Sequence, residues 1–190
     1  MCSVVFKSGD KQRAWAKFSL AGKTTPVRRL ALNLGAPGDR KDSRGLSWIG
    51  LPRPSGSLVL ALPVEVTGVA KGEYFQFGQD FARVEGADSP WLYTTGYRGI
   101  QRCRIPLMER GDGTAEYIVR LHFAGLPDEP AGRRVFGIKL QGKAVEKAFD
   151  PAAAAGGAGR AIVREYRGVR VEELLDIDFV AKRGATASNG

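Results

Sequence analysis

The chain has 190 residues, 43% of them apolar and 26% charged, enough to bury one core against its ordering entropy; this excludes wholesale disorder, a collagen repeat and a coiled coil. No apolar run approaches the roughly 20 residues that cross a bilayer. The best candidate, Leu58 to Val66, is broken by Pro63 and Glu65, so no membrane span is expected.

The formal charge of +9 is unevenly placed. Residues 1 to 44 hold ten Lys/Arg against three acids, whereas residues 45 to 190 hold nineteen against seventeen. A basic N-terminal segment can meet phosphate or an anionic polysaccharide, but charge without a recognition motif disfavours nucleic acid as a partner. The start, Met1 to Lys7, has no basic segment before an apolar core, so no signal peptide is expected in this chain.

Residues 1 to 25 are read as a basic N-terminal arm or linker, with Ser3 to Phe6 a candidate extra strand and Ser8 to Thr25 a polar connector. The domain itself is expected over 26 to 190. There, alternation with period two dominates and predicts strands with one face on a core. Val27 to Leu34 aligns Leu30, Leu32 and Leu34, then ends at the turn Gly35-Ala36-Pro37-Gly38-Asp39. A short strand is expected over Leu46 to Leu51. Ser57 to Val66 carries apolar residues on both parities at its start and is expected to be a core strand.

Strands are then expected over Trp91 to Thr95, Gly99 to Leu107 and Ala115 to Ala124, with Gly96 and Gly111-Asp112-Gly113 as breaks. Val135 to Leu140 and Ala144 to Phe149 flank Gln141-Gly142-Lys143 and predict a hairpin. Pro151 to Gly159 reads as a loop, since three glycines among the alanines each cost about 1 kcal/mol in a helix. Ala161 to Tyr166 and Leu174 to Ala181 complete the strands, with a helix over Val171 to Asp176 as the alternative for that stretch. So many short strands predict an all-β fold, a two-sheet antiparallel β-sandwich of the jelly-roll kind.

Catalytic and metal chemistry find little support. Cys2 and Cys103 have no CxxC spacing, and Cys103 shares the parity of Ile105 and Leu107, which places it in the core. His122, the single histidine, takes the parity of Arg120, away from the core face of Tyr117, Val119, Leu121 and Phe123. No Gly-x-Ser-x-Gly or His-Glu-x-x-His motif accompanies it. The carboxylate pairs Asp128-Glu129 and Glu172-Glu173 are adjacent in sequence, which in a strand points them apart and argues against shared hydrolytic chemistry. Asp39 and Asp42 on a glycine-rich turn are weighed as calcium ligands, and read as solvated carboxylates. No catalytic residue, metal or cofactor is assigned.

Several segments resemble, in order, the malectin-type carbohydrate-binding domain. They are Leu30 to Ala36, Leu92 to Tyr97, Tyr117 to Ala124, Arg134 to Lys143, Phe149-Asp150 before a glycine-rich loop, and Leu175 to Val180. The form beginning Asn33-Leu34-Gly35-Ala36-Pro37-Gly38-Asp39-Arg40 further resembles malectin-like domains embedded in large bacterial multidomain proteins, beside propellers or polysaccharide-active enzymes. The resemblance implies a jelly-roll sandwich and non-catalytic recognition of a poly- or oligosaccharide by loop aromatics at one end, with neighbouring domains of a parent protein as further partners. It also implies an extracellular or periplasmic setting for that parent. An aromatic ring can cover the C–H face of a pyranose while polar neighbours bind its hydroxyls.

By that resemblance Tyr97 corresponds to the family's tyrosine after the Tyr-x-Thr segment, with Arg98 as the competing alignment. Tyr74, Phe75 and Phe77 lie where the family carries another ligand-facing tyrosine. Trp91 and Tyr93 flank the same predicted strand, and Trp48 sits in a separate predicted loop. Arg98, Asp128, Glu129 and Asp150 are the candidate hydroxyl partners. Burial preferences favour a core role for Tyr93, Phe75 and Phe123, and leave Tyr97 and Tyr74 open between core and site. Two departures stand out: Gly125-Leu126-Pro127-Asp128-Glu129-Pro130 replaces the aromatic pair of the family's animal members, and the chain ends at Ser188-Asn189-Gly190, where a last strand with an acidic ligand residue is expected to be missing. A structural or docking sandwich of a larger protein, with no sugar site, is the competing reading.

Overall fold

A computed structural model describes the backbone of residues 3–8, together with residues 27–53, 64–78, 84–126 and 129–182. The strands are β1 (Ser3–Ser8), β2 (Arg29–Leu34), β3 (Arg40–Lys41), β4 (Ser47–Leu51), β5 (Glu65–Gln76), β6 (Thr95–Pro106), β7 (Ala115–Ala124), β8 (Phe136–Leu140), β9 (Lys143–Phe149), β10 (Ala161–Val171) and β11 (Leu174–Ala181). They form a six-stranded sheet in the order β10-β7-β1-β2-β4-β3 and a five-stranded sheet in the order β5-β6-β11-β8-β9. Pairing is antiparallel except between β2 and β4, which run parallel. The fold is the all-β sandwich that the alternation predicts.

Alternation fills the space between the sheets. Leu30, Leu32 and Leu34 of β2 and Tyr117, Val119, Leu121 and Phe123 of β7 are buried against Cys103 and Ile105 of β6, Phe136 and Ile138 of β8, and Leu175, Ile177 and Phe179 of β11. Phe123 reaches across to Phe149 and Phe136, with ring centroids 4.9 and 5.9 Å away. Burying each such ring stabilises by roughly 1.5–3 kcal/mol. On the outer face of the second sheet the intervening residues pair by charge. Arg102 and Arg104 lie opposite Asp178 and Asp176 and bond them at 2.6 and 2.9 Å.

The turns follow local chemistry. Gln141 and Gly142, at φ +50° and +74°, join β8 to β9 in a two-residue hairpin whose twist requires positive φ at both positions. β1 lies between β2 and β7, with Val5 opposite both Ala31 and Arg120. Residues 9–26 and 54–63, which include most of the expected Ser57 to Val66 strand, lie outside the described residues.

Four expectations are corrected. Trp91 to Thr95 is not a strand: Pro90–Tyr93 is a 3-10 turn, begun by Pro90, whose fixed φ suits a helical start, and β6 runs unbroken from Thr95 through Gly96. Pro151 to Gly159 is not all loop, because Pro151–Ala155 is a short helix, α1. Asp150 caps it by accepting from the N–H groups of Ala152 and Ala153 at 3.0 and 3.2 Å, and Gly156 at φ +80° closes it. The glycines therefore follow the helix rather than interrupt it. β10 continues past Tyr166 to Val171 through a bulge, and β11 starts at Leu174, so the helical alternative for Val171 to Asp176 is not formed. Finally, Val69 to Gln76 belongs to a strand that the pattern did not reveal, β5, whose two register shifts and two glycines erase the period of two.

Candidate functional site

Four strand ends converge at one end of the sandwich: the C-terminal ends of β2, β5 and β7 and the N-terminal end of β6. Gly35, just after β2, has φ +75°, and a Cβ there would stand 2.7 Å from the Phe75 carbonyl and 2.8 Å from that of Gly96. This approach holds the aromatic tip of β5 against the rest of the domain. Tyr74 and Tyr97 are cross-strand partners, their rings edge to face at 4.8 Å. Tyr74 is 36% exposed. Tyr97 is half-buried and lies across β5, where a Cβ on Gly68 or Gly72 would come within 2.5 or 2.9 Å of its hydroxyl oxygen. Those glycines give Tyr97 its seat.

On the opposite parity Phe75 and Phe77 lie 5.1 Å apart, and the Arg98 guanidinium sits over both rings at 5.4 and 5.8 Å. Trp91, half-buried on the 3-10 turn, carries the Arg40 guanidinium 4.6 Å over its ring. Phe75, Phe77 and Trp91 pack on a second small core of Ala31, Trp48, Leu92, Tyr93, Ala124 and Leu126. Half-exposed rings edged by two arginines thus form a rim at this end.

The second small core floors a groove of about 400 Å³ on the outer face of the first sheet. Trp48 is only 2% exposed and belongs to β4 rather than a loop; its indole N–H donates to Asp42 Oδ2 at 3.0 Å. Tyr93, also buried, bonds through its hydroxyl to Nδ1 of His122 at 3.1 Å, and Trp48 meets the His122 ring edge to face at 5.1 Å. Both side chains are thus buried in the groove wall and held by hydrogen bonds. His122 is 9% exposed, and its Nε2 makes no hydrogen bond among the described residues. Burial, reinforced by the nearby Arg120 charge, lowers its pKa to about 4, so the ring is neutral near pH 7. Burial, and then the Asp88 charge, push the Tyr93 hydroxyl up to about 12, so it stays protonated.

Asp42 is anionic. Burial alone would raise its carboxyl, but hydrogen bonds from Trp48 and from the Leu46 and Arg44 N–H groups, helped by Arg29, bring it below its ordinary value. Arg44 is paired with Asp88 at 2.5 Å, and Arg120 with Glu165 at 2.6 Å. Asp39 accepts from the Gly50 N–H and from Arg53. Both aspartates weighed as calcium ligands thus have protein donors, and the described residues contain no cluster of three or more His, Cys, Asp or Glu.

The other sequence candidates have structural partners. Glu129 is ion-paired at 2.8 Å with Arg134, which is 3% exposed and also donates to the Ala124 carbonyl at 2.8 Å. Asp150 caps α1 and accepts from the Gly132 N–H at 2.5 Å. Asp128 lies outside the described residues. The structure thus brings Tyr74, Tyr97, Phe77, Arg98 and Trp91 to one end, and gives Trp48 and Tyr93 to the floor of the groove. Sequence reasoning did not find the groove. Its members come from segments far apart in the chain, and the one local signal was His122 on the outward parity of a buried strand.

The fold and its rim define a two-sheet β-sandwich domain in which, among the described residues, the aromatic side chains outside the main core gather at one end. The Malectin domain family profile matches residues 66–185, and the chain belongs to that family. Among solved structures it is similar to a Bacteroides uniformis beta-glucuronidase (21% identity, TM-score 0.59), covering 82% of this chain and 16% of that one. It is also similar to the ANXUR2 extracellular domain from Arabidopsis thaliana (15% identity, TM-score 0.51), covering 85% of this chain and 46% of that one. A third similar structure is a complex of the plant peptide RALF23 with FER and LLG2 (17% identity, TM-score 0.54), covering 88% of this chain and 48% of that one. At these identities the likeness is one of fold, and the chain spans less than half the length of each. No curated protein sequence matches the chain.

Proposed function

We propose that this domain is a non-catalytic carbohydrate-binding module that takes a poly- or oligosaccharide at the rim. One observation carries the reading. Tyr74, Phe75, Phe77, Trp91 and Tyr97 are rim rings left open to solvent in part, and the guanidinium groups of Arg98 and Arg40 lie against this cluster, over Phe75 and Phe77 and over Trp91. Flat apolar area beside fixed donors is what a pyranose requires. Tyr97 acts by positioning Tyr74, its edge-to-face partner. Glu129 and Asp150 serve the loop and α1, and are not counted among the hydroxyl partners.

Membership of the malectin family supports the reading, as does the similarity to a glucuronidase of which this fold forms only a small part. The competing docking role draws on the likeness to a structure of the plant peptide RALF23 in complex with FER and LLG2. Against it, the exposed large apolar residues among those described, Tyr74, Val163, Leu174 and Val180, come from three strands, β5, β10 and β11. Affinity electrophoresis in gels carrying neutral or acidic polysaccharides tests the proposal. Retardation by at least one polysaccharide is expected, with Tyr74→Ala and Trp91→Ala each weakening it several-fold. Unchanged mobility in every gel would overturn it.

A further inference from the structure

Two groups that an anionic ligand would complement line the groove. The first is at His122. Tyr93 has one hydrogen bond, to Nδ1, and its hydroxyl is protonated. If that hydroxyl donates, Nδ1 is the acceptor and the neutral ring carries its proton on Nε2, leaving one donor unmet. If Nδ1 donated instead, the tyrosine proton and the Nε2 lone pair would both be unmet. Burying an unpaired polar group costs about 1–3 kcal/mol, so the first arrangement wins, and the groove floor holds a buried N–H without an acceptor.

The second is at Arg29. Its parity on β2 is opposite to that of Leu30, Leu32 and Leu34, so it projects on the groove side. Asp42, which feels its charge, is already committed to two backbone N–H groups and the Trp48 indole. Arg44 and Arg120 have their own carboxylates, whereas Arg29 has no ion-pair partner within 4 Å among the described residues. A buried neutral donor and an exposed cation that no carboxylate neutralises lie along one groove, and both complement oxygen acceptors with a negative charge.

We propose that this groove is a second binding site, distinct from the rim, for a sugar unit bearing an oxyanion, with Arg29 pairing the anionic group and the Nε2–H of His122 donating to an oxygen of the same unit. The anion follows from the buried donor and the exposed cation beside it. That it is borne on a sugar rests on the function proposed above. A uronate carboxylate and a sugar sulfate share this chemistry, and the test separates them.

His122 is the single histidine, so its imidazole nitrogens give unambiguous NMR signals in the full chain labelled with nitrogen-15 histidine. At pH 7 the free protein should show the Nε2–H form. Glucuronate should move the Nε2 signal saturably, while glucose leaves it in place. Glucose 6-sulfate moving it as well would assign the site to oxyanions generally; glucose 6-sulfate failing would assign it to carboxylates. Arg29→Gln should weaken glucuronate at least tenfold. No displacement by either anionic sugar overturns the proposal, as does a glucuronate response unchanged in Arg29→Gln. In a second sample labelled with nitrogen-15 tryptophan, indole signals of Trp91 responding to a neutral oligosaccharide while His122 stays silent to every anionic sugar would sink the groove and leave the rim. Silence of both to every saccharide would sink both.

Discussion

The two faces of β7 are built on opposite principles. Inward, Tyr117, Val119, Leu121 and Phe123 are buried among apolar side chains from both sheets, and the one polar atom there, the Tyr117 hydroxyl, is satisfied at 2.8 Å by the Val27 carbonyl. Outward, Arg120 and His122 lie in a shallow polar groove where a nearly buried ring keeps one nitrogen without a partner. A face that serves only stability has its polar groups paired. The inward face of β7 follows that rule and the outward face departs from it at one nitrogen, and the proposed groove site rests on that difference.

That contrast can be broken by substitution, starting with the inner face. Phe123→Ala removes a ring that touches Phe149, Phe136 and Phe179, and should cost about 3–5 kcal/mol in urea unfolding. A loss below 1 kcal/mol would mean the sheets are not packed through this ring. Arg134→Met strands Glu129 and the Ala124 carbonyl beside the rim, and should cost about 3 kcal/mol. Its partner variant Glu129→Gln, which keeps the shape, should cost less.

On the outer face, acid should act through His122. Its pKa is near 4 folded and 6.5 unfolded, so the unfolded chain takes the proton first as pH falls. The stability this histidine allows is complete above pH 6.5 and is lost progressively down to pH 4, by up to about 3 kcal/mol. His122→Leu should flatten that part of the stability profile, and an unaltered profile would contradict the buried neutral ring. The smallest effect is expected on the outside of the second sheet. Arg102→Ala breaks an exposed pair with Asp178 and should change stability little at low salt and still less at high salt.

The sequence made the scaffold legible because alternation is a local code. Leu30-Leu32-Leu34, Tyr117 to Phe123 and Leu175-Ile177-Phe179 each announce a face, and the observed cores use those faces. Legibility failed where local chemistry overrides the period. Pro90 turns an aromatic stretch into a 3-10 turn, Asp150 makes a helix of an alanine run, and Gly68 and Gly72 disguise β5 to make room for Tyr97. The rim residues could be nominated because aromatic type narrows the choice. The groove could not, since Tyr93 and His122 are 29 positions apart and Trp48 joins from another strand, with no shared spacing to reveal them.

Amide chemical-shift mapping of the full chain with an oligosaccharide selected by gel retardation tests the central claim most directly. The account predicts a contiguous set of shifted amides at Tyr74 to Phe77, Trp91 and Tyr97-Arg98, with the strands of the inter-sheet core unmoved. Shifts confined to the far end of the sandwich, around the Gln141-Gly142 hairpin, would contradict it.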